Sequence, residues 1–290
     1  MLQALKSVRH LQSSAMKQAV SELCVPVPWG ELRGKVWGPD HGRPVLCLHG
    51  WADNCGTFNT LIPLLPKALE WSKFSIIGHS MGGNVAGMFG ALYPEMVDAV
   101  VLLDSYGFFP TDKKEMLKVM RQGMDQMVQF EKMTEDKKRR VYTYENAVER
   151  LMAANPILSE RSVHILLERG LVQVEGGVAF TRDLRINLKN ITRISLEQSL
   201  ELQSGIQASV LVILAEDGFE KMFSEPEQKK VTSAILQAYR DRNHAVVTVP
   251  GDHHVHLNDP KAVAPLVSDF LQTKVLTQPA RQTAERTSKL

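Results

Sequence analysis

The chain has 290 residues, 44% of them apolar and 23% charged, and carries a net charge of only +2 from 34 basic and 32 acidic residues. That length can bury one large core, the composition is that of an ordinary soluble globular protein, and no run of 18 apolar residues is present to span a bilayer. The even charge balance offers no broad footprint for nucleic acid or anionic lipid. Cys24, Cys47 and Cys55, an odd set without a CxxC pair, read as inert thiols of a reducing compartment.

In chain order, the first twenty residues hold Lys6, Arg9 and Lys17, no acid, and Leu2, Leu5, Val8 and Leu11 at helical spacing, which resembles a mitochondrial presequence. Leu23 to Trp29 and Leu32 to Trp37, joined at Gly30, predict a hairpin at the sheet edge, because Pro26 and Pro28 forbid a central position. Val45-Leu46-Cys47-Leu48 predicts a buried parallel strand that delivers His49-Gly50-Trp51 to its C-terminal end. Thr57 to Leu65 has the spacing of a helix, with Phe58, Leu61, Ile62 and Leu65 on one face. Phe74-Ser75-Ile76-Ile77 is the next strand, followed by a tight turn and a helix from Met81 to about Leu92; Ala99 to Leu103 is another strand, closing on Asp104.

From about 105 to 190 the strand rhythm stops. This block reads as inserted amphipathic helix, a lid over a pocket, with Met116, Met120, Met124 and Met127 assigned to core packing and Lys137-Lys138-Arg139-Arg140 to a solvated face. Strand and helix alternate again through Val210 to Leu214, Glu225 to Arg240, Ala245 to Val249 and Lys261 to Leu271. The expected fold is α/β, a mostly parallel sheet with helices on both faces. The expected organisation is an extension over 1–22, a core over 23–104 and 191–275 interrupted by the lid at 105–190, and a polar tail over 276–290. The tail ends in Ser288-Lys289-Leu290, the S-K-L address read by the peroxisomal import receptor, so the expected location is peroxisome and cytoplasm.

Gly78-His79-Ser80-Met81-Gly82, between an apolar strand and a helix, has the form of a nucleophile elbow, a turn that throws the Ser80 hydroxyl out above the strand end. A serine hydroxyl needs a histidine to take its proton, and His253, His254 and His256 follow the last strand. The histidine needs a carboxylate, and both Asp104 and Asp217 end strands in the required chain order. The backbone N–H groups of Met81 and Trp51 are the natural donors to a developing oxyanion, with the side chains of His49 and Trp51 available to line the pocket. No P-loop, dinucleotide fingerprint or zincin spacing is present, so neither a cofactor nor a metal is expected, and the expected partner is a small acyl substrate.

The elbow, the His49-Gly50-Trp51 turn and the block from Gly251-Asp252-His253 to Pro260 together resemble the α/β-hydrolase superfamily. A narrower likeness, to the serine hydrolase-like proteins of mammals, runs through Val27-Pro28-Trp29-Gly30, Leu61-Ile62-Pro63-Leu64-Leu65-Pro66, Pro94-Glu95-Met96-Val97-Asp98 and Val249-Pro250-Gly251. The resemblance implies that His253 is the base, seven residues before Pro260. It favours Asp104 as the acid, because Gly218 occupies the position that an acid later in the chain would usually take. It also implies a missing segment: between Pro66 and Phe74 the superfamily has a further strand and helix, roughly forty residues, with the strand between the hairpin and the His49 strand.

Losing three or four buried apolar side chains with that strand would cost on the order of 5–12 kcal/mol, against a total margin of about 5–15 kcal/mol. A direct connection from the Thr57 helix to the Ser80 strand would also conflict with the right-handed rule for crossovers. The expectation is a chain that keeps its catalytic residues but folds poorly or is inactive.

Overall fold

The computed structural model describes residues 20–28, 30–38, 43–65, 73–133, 140–222 and 225–276. The N-terminal stretch, most of the basic run at 137–140 and the tail with its terminal tripeptide lie outside the described residues.

Strands β1 (Val20–Val27) and β2 (Gly30–Trp37) form an antiparallel hairpin, then come β3 (Val45–Leu48), β4 (Phe74–His79), helix α1 (Met81–Leu92) and β5 (Val97–Leu103). The block after β5 holds α2 (Lys113–Met133), α3 (Tyr144–Ala154), α4 (Glu160–Gly170) and a second hairpin of β6 (Leu171–Val174) and β7 (Gly177–Phe180). Next are α5 (Leu196–Gly205), β8 (Ser209–Asp217), α6 (Pro226–Asp241), β9 (Ala245–Asp252), α7 (Val255–Asn258) and α8 (Pro260–Leu271). Among the described residues the central sheet has five strands, all parallel, in the order β3-β4-β5-β8-β9.

Alternation along the central strands builds two cores. Ile77, Val101 and Ile213 face α8 through Val263 and Val267, whereas Ile76, Val100 and Val212 face the other side, with Ala86 of α1, Ile206 beyond α5 and Ile235 of α6. Both faces of β5 are covered, which is why Ala99 to Leu103 reads as an unbroken apolar run.

The faces also reveal the hands of the crossovers. From β3 through β9 every step crosses the sheet in the same direction. The connections through α1, α5 and α6 all run over one face, but Phe58 and Leu61, between β3 and β4, pack on the other with α8. The first crossover therefore has the opposite hand to the remaining three, and since such crossovers are almost always right-handed, it is the exception.

Four expectations need correction. The hairpin of β1 and β2 is not an edge of the central sheet but a separate two-stranded sheet, held to α4 by the 2.6 Å Arg169–Glu22 ion pair. The stretch from Thr57 to Leu65 is not one helix but two single 3₁₀ turns, Cys55–Phe58 and Ile62–Leu64; Pro63, in the first turn of the second, has no N–H to continue the helix from the first. Met120, Met124 and Met127 are exposed on α2, because its packed side is the one carrying Gly123, set against Lys189 and Ile191. The block at 105–190 also contains the β6–β7 hairpin, whose turn signal, Gly176-Gly177 with φ of +83° and +149°, stood in the sequence unread.

Candidate active site

The elbow forms because two glycines let three pieces of backbone touch. A Cβ on Gly78 would strike the backbone of Gly82, and one on Gly82 would strike the carbonyl of Leu48 in β3. Between them Ser80 has φ of +51°, a conformation costing a non-glycine residue about 1–3 kcal/mol, and it stands at the N-terminus of α1. Ser105 closes the turn from behind, its hydroxyl donating to the Ser80 carbonyl at 3.0 Å.

Ser80, Asp104 and His253 follow the C-terminal ends of β4, β5 and β9, where ligands gather on parallel sheets. His253 Nε2 lies 3.0 Å from Ser80 Oγ and its Nδ1 lies 2.5 Å from Asp104 Oδ2. Asp104 also accepts from the N–H groups of Ala215 at 3.0 Å and Phe219 at 2.6 Å. Ringed by donors, its carboxylate is an acceptor for the Nδ1–H of His253, which leaves Nε2 free to accept the hydroxyl proton of Ser80. The Phe219 ring stacks on His253 with centroids 5.7 Å apart.

Asp217, the other candidate acid, points away: its side chain is 73% exposed and pairs with Lys221 at 3.6 Å. The neighbouring residue explains how Asp104 serves instead. A Cβ on Gly218 would collide with both carboxylate oxygens of Asp104, so the absent side chain at 218 is the space that the Asp104 carboxyl occupies.

His254 and His256 are not brought to Ser80. They join His79 in a buried group around Asp53, a carboxylate that sequence reasoning missed; its mark was an acid in the turn after the His49 strand. Asp53 Oδ2 is 3.7 Å from both His79 Nδ1 and His254 Nε2. Burial opposes ionisation of Asp53, but the imidazoles of His254 and His79 outweigh it and hold its carboxyl below the usual carboxylate range. Burial pushes His79 and His256 below the ordinary histidine range.

The group is tied to the base, since His79 Nε2 donates to the His253 carbonyl at 2.8 Å, and it is tied to the 3₁₀ turn, since Thr57 Oγ1 meets His256 Nε2 at 2.9 Å. Among the described residues no set of His, Cys, Asp or Glu is arranged to hold a metal ion.

Met81 opens α1, so its N–H is one of the amides a helix leaves without an internal partner. Trp51 lies in the turn after β3, 56% exposed, with its Nε1–H donating to the Ile186 carbonyl at 2.8 Å, which ties this turn to the 105–190 block. His49 turns its Nδ1 to the Gly50 carbonyl at 2.8 Å. Cys47 packs against the core on the α8 side of the sheet, and burial pushes its thiol up to about 12.

A family model described as the alpha/beta hydrolase fold matches residues 66–141. A serine hydrolase-like protein of Danio rerio is 49% identical over 328 aligned positions that cover all of both chains. This chain belongs to the serine hydrolase-like proteins of the α/β-hydrolase fold. Serine hydrolase-like protein 2 of Homo sapiens is 34% identical over 90% of this chain and 97% of its own. Among solved structures, the hypothetical protein PA1622 of Pseudomonas aeruginosa superposes with a TM-score of 0.68 over 90% of this chain at 23% identity, a likeness of fold. Because the zebrafish alignment is 328 positions long and this chain has 290 residues, at least 38 aligned positions have no residue of this hydrolase-like chain opposite them.

Proposed function

We infer that the protein hydrolyses a carboxylic ester or related acyl bond of a small molecule through an acyl-enzyme on Ser80. The unbroken string from Ser80 Oγ to His253 to Asp104 carries this reading. His253 Nε2 takes the hydroxyl proton as Ser80 Oγ bonds to the acyl carbon, and Asp104 stabilises the resulting imidazolium. The N–H groups of Met81 and Trp51 are assigned to the oxyanion, a type of donor worth about 10²–10³ in rate each. The imidazolium gives its proton to the leaving alcohol. Water then attacks the acyl-enzyme with His253 as base, and Ser80 recovers its proton as the acid departs. Side chains and water balance every step.

A fluorophosphonate probe tests the reading: it should label Ser80, and Ser80→Ala and His253→Ala should each abolish labelling. A chain that melts cooperatively yet stays unlabelled would overturn it in favour of a protein that keeps the pocket only to bind a ligand. The terminal Ser288-Lys289-Leu290 supports a further assignment, to the peroxisomal import receptor as partner and to peroxisome and cytoplasm as locations.

A further inference from the structure

Two consecutive residues of the elbow turn reach residue 253. The Ser80 hydroxyl meets the His253 ring at 3.0 Å, and the His79 ring, only 1% exposed, meets the His253 carbonyl at 2.8 Å. A carbonyl can only accept, so His79 Nε2 carries the proton of that bond. His253 stands outside both β9 and α7, just after Gly251 with φ of +127°, and the bond from His79 ties down its carbonyl. One side chain of the elbow thus anchors the backbone of the base while the next one meets its ring.

The place of His79 is set by groups other than the residue it holds. A Cβ on Gly50 would lie 2.7 Å from His79 Nδ1 and 3.0 Å from its Cε1, so the bare backbone after β3 is the room this ring fills. Asp53 Oδ2 stands 3.7 Å from Nδ1, and the His256 ring packs on the His79 ring with centroids 4.1 Å apart. His256 is tied in turn to Thr57 Oγ1 at 2.9 Å, and its carbonyl accepts from Thr60 Oγ1 at 3.2 Å. Residue 79 is therefore a fixed post, and the turn that carries His253 leans on it.

We propose that His79 is a positioning residue for the base: by holding the His253 carbonyl it keeps the His253 imidazole in line between Asp104 and Ser80. The proposal rests on the assignment of Ser80 and His253 as nucleophile and base, so its test is read both with turnover and without it. Glutamine can place an amide nitrogen where Nε2 stands, whereas asparagine, one carbon shorter, reaches only the Nδ1 position. His79→Asn should lower kcat on a chromogenic ester about 10²-fold with KM changed by less than about twofold, the signature of a reacting group moved by about an ångström. His79→Gln should recover about tenfold or more of that loss. Ile235→Ala, a buried change in α6 on the other face of the sheet, controls for lost stability: it should lower Tm and leave kcat within about twofold.

Without turnover, the readout is the low-field proton resonance of the His253 Nδ1–H, identified by its loss in Asp104→Asn. It should vanish in His79→Asn and persist in His79→Gln. If neither variant at 79 melts cooperatively, Gly50→Ala takes their place, since its methyl presses the His79 ring aside without changing its chemistry, and it should lower kcat and remove the resonance as His79→Asn would. A wild-type chain that takes no fluorophosphonate label would sink the assignment of Ser80, and the resonance alone would then decide the role of His79. Full activity in a folded His79→Asn chain, equal losses in the two variants at 79, a kcat loss as large in Ile235→Ala, or a resonance unmoved in His79→Asn would each overturn the proposal.

Discussion

Gly218 holds the clearest lesson at the scale of single residues, because what matters there is a missing side chain. Its absence lets a carboxyl from β5 reach over the end of β8 to the histidine that follows β9. Gly218→Ala should therefore push the Asp104 carboxyl off His253 and lower kcat about 10²-fold with little change in KM, measured on a chromogenic ester. Asp104→Asn should cost about 10⁴ in kcat, because an amide cannot hold the Nδ1–H tautomer. Moving the acid, as Asp104→Gly with Gly218→Asp, should recover at least a tenfold gain over Asp104→Gly alone. No recovery would mean that β8 cannot present the group. Asp104 was legible in the sequence as one of two strand-end acids, and Ser80 from its glycines. The role of Gly218 in making room was not, since a cavity for a neighbour leaves no pattern in one dimension.

Among the elements, the strands that carry the site are the best buried, and the hairpin contributes little. Ile77, fully buried in β4 immediately before Gly78 of the elbow, should cost about 2–5 kcal/mol on Ile77→Ala by urea denaturation. Leu32→Ala in the hairpin, at a position 59% exposed, should stay within about 0.5 kcal/mol. A large effect at Leu32 would show that the hairpin is covered in solution. The block at 105–190 is fastened to the histidine loop through Asn258. Its Oδ1 accepts from Ser159 N–H and Ser162 Oγ, and its Nδ2 donates to Asp252 Oδ2 at 2.9 Å. The period of α1 and the run of β5 were readable because each buries a regular face. The methionines of α2 misled because a helix with exposed methionines has the same spacing as one with buried ones, and only its neighbours decide.

Over the whole molecule, the buried histidines couple stability to pH. Burial depresses His79 and His256 in the folded chain, while in the unfolded chain they titrate near the ordinary value of about 6.5. As pH falls through that value the unfolded chain binds protons that the folded chain refuses, so stability present above about pH 7 is lost on acidification. Each such proton contributes a slope of about 1.4 kcal/mol per pH unit. Asp53, held below the usual range, adds a further loss below about pH 4. Urea midpoints at pH 8, 7, 6 and 5 should decline in that order. His256→Gln, which can still bond Thr57 but cannot titrate, should flatten the decline; an equal slope in the variant would refute this account. Deleting Ser288-Lys289-Leu290 from a fluorescent fusion should move it from punctate to diffuse.

Local pattern alone determined the alternation of strand and helix, the elbow at Ser80 and a histidine after the last strand, because tight turns and buried strands constrain residue type wherever they occur. Family resemblance added His253 and leaned to Asp104 over Asp217, and the structure brings both to Ser80; that Asp53 gathers the other imidazoles, that Gly218 makes room for Asp104 and that the first crossover runs against the common hand were decided only in three dimensions. Those outcomes depend on which face of the sheet a segment packs against and on what its neighbours leave empty, and neither quantity is carried by a residue and its near neighbours in the chain.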